Sequence, residues 1–357
     1  MSFVDEEDVF ACWERVMSET MRAAMDVDVP TPFPRLTWDE AMNRFGSDKP
    51  DTRFGLELVD VADWVPASGF GVFQGALDAG GRVMAIRIPG GGASVSRGAL
   101  KGHEKFAKEL GAKGLAWWKP GESGGGAGPV ARFCEGESAQ ALCALTEAVE
   151  GDLLLFAAGP AAEVWRVLGG LRLRMAQALD LIPKGSFHFL WVTRFPMFEW
   201  DEEADRWTSS HHPFTAPADW EMEGDPAQMA SRAYDMVLNG WELGSGSVRI
   251  HRSDDQRKVF ELLGISPEEQ SAKFGFLLEA LAHGAPPHAG FAMGLDRVVA
   301  LTLGMDSIRD VVAFPKTATA ADLMCEAPST VDPEVLREVH VSFAEQHGAS
   351  PEPDSKS

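Results

Sequence analysis

The chain has 357 residues, 45% apolar and 24% charged, with 54 acidic against 32 basic side chains and a formal net charge of −22. This is ordinary globular composition, long enough for two cores, and its acidity argues against a broad nucleic-acid surface, because phosphate binding needs clustered Lys and Arg. No apolar run is long enough for a transmembrane helix, the acidic start MSFVDEEDVF lacks the parts of a secretion signal, and a cytoplasmic protein is expected.

In chain order, Val9, Trp13, Val16, Met17 and Met21 recur at helical spacing and predict a helix over 5–26. Pro30 to Pro34 reads as extended. Thr37-Trp38-Asp39-Glu40 is a capping box, which starts a second helix that Gly46 can end. From about 60 to 185 the chain turns rich in Gly and Ala, with strands at Val83–Ile88 and Leu153–Phe156 and helices at 101–111 and 160–180, an α+β module with its own core. Its glycine-rich stretch 121–128 lacks the Gly-Lys-Ser/Thr ending of a phosphate loop and reads as a flexible connection. Beyond 186, Phe187–Thr193 predicts a strand and Met197–Trp207 a hairpin with an acidic tip. Helices are expected at 226–236, 253–263 and 267–282, strands at 237–243 and 247–251 about Gly244-Ser245-Gly246, and a strand at 288–293 that runs into a helix at Leu295. The last residues, ASPEPDSKS, read as a disordered tail. The four cysteines (Cys12, Cys134, Cys143 and Cys325) show no CxxC or zinc-type spacing and are expected to be reduced and structural.

Three clusters carry possible chemistry. In Gly290–Val299 an apolar strand meets Gly294 and turns into a helix whose first turn holds Arg297. A cation at a positive helix end is unfavourable unless an anion neutralises both. A triphosphate would do this, and so would a neighbouring carboxylate. Asp235 and Glu242, placed by this reading at a helix end and on the next strand, could share a hard cation, or each could be an ordinary surface acid. His211-His212 with Arg249 forms the third cluster. Arg249 suits bidentate carboxylate binding, or it is a sheet-surface residue. Gly244-Ser245-Gly246 lacks the third glycine of a dinucleotide fingerprint, and no serine nucleophile elbow is present.

These segments resemble bacterial-type aspartyl-tRNA synthetases. Gly294-Leu295-Asp296-Arg297 is similar to motif 3 of the class II enzymes, Gly240–Ile250 to the segment before it, and His211–Thr215 to the histidine loop. Gly46–Asp51, Phe274–Leu278 and Ile308–Thr317 match as well, and the six together are specific. The resemblance implies an α+β class II fold, with an antiparallel sheet flanked by helices, and a GAD-like insertion. It divides the chain into 1–60 (catalytic, after motif 2), 61–185 (insertion), 186–330 (catalytic, with motif 3) and 331–357 (extension and tail). It further implies that Arg297 contacts the ATP γ-phosphate while Gly294, Leu295 and Asp296 line the adenosine side. Glu242 would be the ATP-proximal acid and hold Mg²⁺ with Asp235. Arg249, His211 and His212 would bind L-aspartate.

The implied reaction is activation of aspartate by ATP and transfer to tRNA(Asp), in a homodimer; tRNA(Asn) as a second acceptor stays open. Segments resembling the anticodon-binding barrel, motif 1 and motif 2 are not found, so the catalytic sheet is expected to be incomplete. The chain is expected to be a fragment, a split gene or a degenerate paralogue, inactive alone. The alternative is a non-catalytic synthetase-like binding or regulatory protein. A lysyl or asparaginyl enzyme shares motif 3 but lacks the insertion.

Overall fold

The computed structural model describes residues 1–122 and 125–342. Residues Met1–Val298 form one compact unit and Val299–Ser357 a second. In chain order the elements are α1 (Glu6–Met25), β1 (Arg35–Thr37), α2 (Trp38–Phe45), β2 (Leu58–Asp60), α3 (Val65–Ser68), α4 (Gly71–Asp78), β3 (Arg82–Ile88), α5 (Gly91–Ser94), α6 (Arg97–Glu109), β4 (Ala116–Pro120), β5 (Gly126–Ala127), α7 (Gly136–Thr146), β6 (Leu153–Gly159) and α8 (Ala161–Ala178). Then follow β7 (Phe189–Thr193), β8 (Phe198–Asp201), β9 (Arg206–Ser209), β10 (Ala233–Leu238), β11 (Trp241–Val248), α9 (Ser253–Leu262), α10 (Pro267–Ala282), β12 (Ala289–Met293), α11 (Leu295–Thr302) and α12 (Pro333–Glu338).

The first sheet has the order β1-β7-β10-β11-β12. The β1–β7 pair is parallel, which corrects the expectation of a wholly antiparallel sheet. A parallel pair needs a long connection, and the whole of β2–α8 lies between these two strands. α1 covers one face. It starts at a capping box of Asp5 and Asp8 and lays Phe10 on Trp191 (4.3 Å between ring centroids) and Trp13 on Phe291 (4.7 Å). Phe10 and Glu14 are buried while Val16 is exposed, so the helix is rotated slightly from the expected stripe. Glu14 is satisfied by the Trp191 indole N–H at 3.1 Å.

In the second sheet, β2-β3-β6-β4-β5, the strands β3 and β6 are buried on both faces. Met84, Ile86, Leu153 and Leu155 face α6 and α8; Val83, Ala85, Leu154 and Phe156 face the side of Trp64, Phe73 and Leu142. Continuous apolar runs such as 83–86 and 153–156 follow from that double burial. Gly126–Ala127 pairs with β4, inside the stretch expected to be a flexible connection; residues 123 and 124 of that stretch, and the expected C-terminal tail, lie outside the described residues.

The helix expected over 226–236 is not formed. Pro226–Gln228 is one 3₁₀ turn, and Ala233–Leu238 is the central strand β10, buried at every position. A short apolar run buried on both sides has no period that separates strand from helix. The strands expected at 237–243 and 247–251 do not flank a turn at Gly244-Ser245-Gly246, which lies inside β11; the turn is Asn239-Gly240, within the first expected strand, with both residues at positive φ (52° and 87°). Asn-Gly in a two-residue loop is the strongest short hairpin signal.

Candidate active site

The β10–β11 hairpin carries the candidate residues Asp235 and Glu242 on the sheet face opposite α1. Along β10, Tyr234 points to α1 and packs edge-to-face on Phe10 (5.1 Å), so Asp235 points the other way. Ser245 stands opposite Asp235 in the ladder. Strict alternation along β11 would then turn Glu242 away from Asp235. The ladder skips Leu243, however: Met236 pairs with Gly244 and the next residue, Val237, pairs with Glu242. This β-bulge re-aims one side chain and brings Glu242 to the wall of the cavity that Asp235 and Ser245 line. Asp235 is therefore a mid-strand residue, not the helix-end residue that the sequence pattern predicts.

That cavity, of about 470 Å³, gathers five of the residues singled out in the sequence: His211, His212, Asp235, Glu242 and Arg249. Asp48, Glu199, Ser245 and Trp38, given no role above, also line it. A second cavity of about 260 Å³ is lined by Lys49, Gly240, Trp241, Glu242 and Arg297. Glu242 thus belongs to both. Gly294, Leu295 and Asp296 line neither and are exposed. The nearest sequence signal for Asp48 and Lys49 was the Gly46–Asp51 match, which marked the segment without showing which side chains face inward.

Arg297 sits in the first turn of α11. Its Nη1 donates to the Glu242 carbonyl at 2.6 Å and lies 3.3 Å from the Glu242 carboxylate. The guanidinium at the helix start therefore has an acid neighbour, as the sequence allowed, and both side chains stay partly exposed to the second cavity.

Asp235 is only 7% exposed, and its Oδ1 is buried without a hydrogen-bond partner. Burial raises its carboxyl to about 6; Ser245 pulls it down, and the Glu242 charge pushes it further up. Arg249, at the end of β11, is half-buried, with Nη1 2.5 Å from His212 Nε2. Burial first, then the Arg249 cation and His211, hold His212 down at about 4, so its imidazole is neutral near pH 7. His211 rests on Phe195 with ring centroids 4.8 Å apart. Among the described residues no group of three or more His, Cys, Asp or Glu side chains is placed to hold a metal ion. The unpaired Asp235 oxygen beside Glu242 does suit a hard cation that takes its remaining ligands from phosphate and water. The arrangement can hold an anion at Arg249 and, through Glu242 and Arg297, a polyphosphate with its cation.

A larger cavity, of about 960 Å³, lies against the second sheet with Phe70, Phe73, Trp117 and Val164 on its walls. None of the candidate residues lines it.

Residues 1–318 match the family model for tRNA synthetases class II (D, K and N), and the chain belongs to that family. It is 52% identical over 344 residues to the aspartate–tRNA ligase of Xanthomonas oryzae pv. oryzae, covering 95% of this chain and 58% of that protein. It is 48% identical over 343 residues to the aspartate–tRNA(Asp/Asn) ligase of Anoxybacillus flavithermus, with the same coverage of each. The chain therefore spans somewhat over half the length of these curated relatives. Among solved structures, an aspartyl-tRNA synthetase from Entamoeba histolytica aligns with 26% identity over 42% of this chain and 26% of that one, at a TM-score of 0.30.

Proposed function

We propose that this chain carries the aspartate- and ATP-binding half of an aspartate–tRNA ligase. The reading rests on one observation above all: Arg249 and the Asp235–Glu242 pair face a single cavity, and Glu242 joins that cavity to the one that Arg297 lines. About 50% identity to proteins named for aspartate ligation over 95% of the chain supports it. The module over 61–185 then corresponds to a GAD-like insertion within a catalytic domain formed by 1–60 and 186–330, with 331–357 as an extension. The partners would be L-aspartate, ATP and tRNA(Asp), in a cytoplasmic homodimer. The Anoxybacillus relative is named for both tRNA(Asp) and tRNA(Asn), and tRNA(Asn) is the second acceptor to test.

In this mechanism Arg249 pairs with the side-chain carboxylate of aspartate. Neutral His212 keeps the Arg249 guanidinium in place without competing for that carboxylate, and His211 closes over it. The aspartate α-carboxylate then attacks the ATP α-phosphate in line, releasing pyrophosphate and leaving aspartyl-adenylate, from which the terminal tRNA ribose hydroxyl takes the aspartyl group with release of AMP. The first step needs alignment of two anions and neutralisation of charge more than proton transfer. Arg297 would leave Glu242 for the γ-phosphate, with Gly294, Leu295 and Asp296 on the adenosine side. Asp235 and Glu242 would hold Mg²⁺, which when bound neutralises phosphate charge.

Aspartate-dependent ATP–pyrophosphate exchange by the native protein tests this reading. Aspartate should support exchange and asparagine or lysine should not, and Arg249→Ala should abolish it. Equal exchange with asparagine or lysine would refute the assignment.

A further inference from the structure

The second module meets the cleft's framework along one stripe of α8. Trp165, Gly169 and Arg172 stand at i, i+4 and i+7, on one helix face. Trp165 packs edge-to-face on Trp38, a wall of the larger site cavity, with centroids 5.6 Å apart. Gly169 lies against Gly46: a Cβ on Gly169 would sit 2.3 Å from the Gly46 carbonyl oxygen, so the two backbones touch with no room for a side chain. Arg172 is 3% exposed. Its Nη2 donates to the carbonyls of Asp51, Phe54 and Gly55, each at 2.9 Å, and its Nε to that of Leu56 at 3.2 Å. Phe54 and Phe45 cover its guanidinium at 4.2 and 4.9 Å.

This side chain is costly to bury, and the groups it bonds are carbonyls, not a carboxylate. What it gains is geometry. Four carbonyls from one short loop converge on one planar cation, which leaves that loop a single conformation. The loop follows directly on Asp48 and Lys49, which line the two site cavities. It also abuts the β10–β11 turn, where a Cβ on Gly240 would lie 3.3 Å from Asp51 Cβ. The Arg53–Asp51 ion pair (2.7 Å) only closes the loop on itself.

We propose that Arg172 is a positioning residue for the cleft: it fixes residues 46–57 so that Asp48 and Lys49 face the substrates, and through it the second module sets substrate affinity. The proposal rests on the reading of the cleft as an aspartate and ATP site.

The test uses Arg172→Met, which keeps most of the volume and removes the donors, and Arg172→Lys, in the native protein. Amide hydrogen exchange over 46–57 is compared with that of β3, β6, β10 and β11, and aspartate and Mg²⁺·ATP affinities are measured by calorimetry. In Arg172→Met, exchange over 46–57 should quicken about tenfold or more while the four strands keep their protection. Affinity for aspartate or ATP should fall by about ten- to a hundredfold, as misplaced positioning groups do. Arg172→Lys should recover part of both. Unchanged loop exchange, a freed loop with intact affinity, or equal loss of protection in all four strands would each overturn the proposal. A wild-type protein that binds neither substrate would instead defeat the reading of the cleft, and the exchange data would then decide whether Arg172 holds the loop. Should Arg172→Met not fold, Phe54→Leu removes the covering ring, keeps every carbonyl acceptor, and is judged by the same outcomes.

Discussion

Asp235 shows what burying an unpaired carboxyl costs at the level of one side chain. Its carboxyl, raised by burial to about 6 against an ordinary 3.8, binds protons more tightly in the folded than in the unfolded chain. Folding is therefore favoured by this group at low pH, and the benefit is lost as pH rises from about 4 through 6. Asp235→Asn should stabilise the ligand-free protein by on the order of 2 kcal/mol above pH 7 and give almost nothing below pH 4. Thermal melts at the two pH values would show this, and an equal shift at both would contradict it. The same variant should weaken Mg²⁺-dependent ATP binding, the usual conflict between stability and function.

His212 offers a second check at this scale. It should titrate near 4 by NMR, and Arg249→Gln should move it upward yet leave it below the ordinary 6.5, because burial, the larger cause, remains. An unmoved titration would show that Arg249 does not bear on the ring. The sequence disclosed these residue types, since tandem histidines and an arginine flanked by Val248 and Ile250 stand out. It could not disclose their charge states, which depend on burial by distant segments.

At the scale of elements, those with local signals were the legible part, and the helix expected over 226–236 was not formed. Capping boxes at Thr37 and Ser266 and a left-handed Gly46 mark starts and stops by local hydrogen bonding, and the structure places helix ends there. In the central hairpin the Asn239-Gly240 turn signal was present but went unread, and the strands were not legible, because β10 is buried on both faces and the bulge at Leu243 breaks alternation beside Glu242. Pattern reading that assumes a fixed period fails at such a site. The glycines of β11 explain themselves only in three dimensions. A Cβ on Gly246 would meet the Gly290 carbonyl oxygen at 2.1 Å and Tyr234 Cε2 at 2.5 Å, so β12 and the α1-facing aromatics pack where a side chain would be. Gly246→Ala should destabilise the protein by roughly 1–3 kcal/mol, the range for overpacking, with substrate affinity falling as Arg249, three residues on, shifts. Urea unfolding measures the first effect, and a variant as stable as wild type would show that β11 and β12 can separate freely.

At the scale of the whole molecule, the composition changes near residues 60 and 186 fall between the segments that build two sheets with separate cores. The division at Val298 was not foreseen, because a boundary set by loss of packing leaves no mark in composition. Within Val299–Ser357 the described residues between α11 and α12 contain one 3₁₀ turn, Ile308–Asp310, and the isolated Asp322–Ala327 bridge. Large apolar side chains stand open there, with Phe314 62%, Leu323 76% and Met324 65% exposed. Segments with few buried contacts and few ordered backbone bonds open locally at little free-energy cost, and cleavage of such segments follows that opening. Brief chymotrypsin treatment should therefore cut first after Leu323 or Met324; Phe314 is followed by Pro315, which blocks cleavage there. Phe276, 78% exposed but held within α10, should survive longer. If intact-mass analysis instead finds the earliest cuts between Glu6 and Val298, the second unit is ordered by something stronger than its own packing, and aspartate and Mg²⁺·ATP should then be added in turn to see which alters its protection.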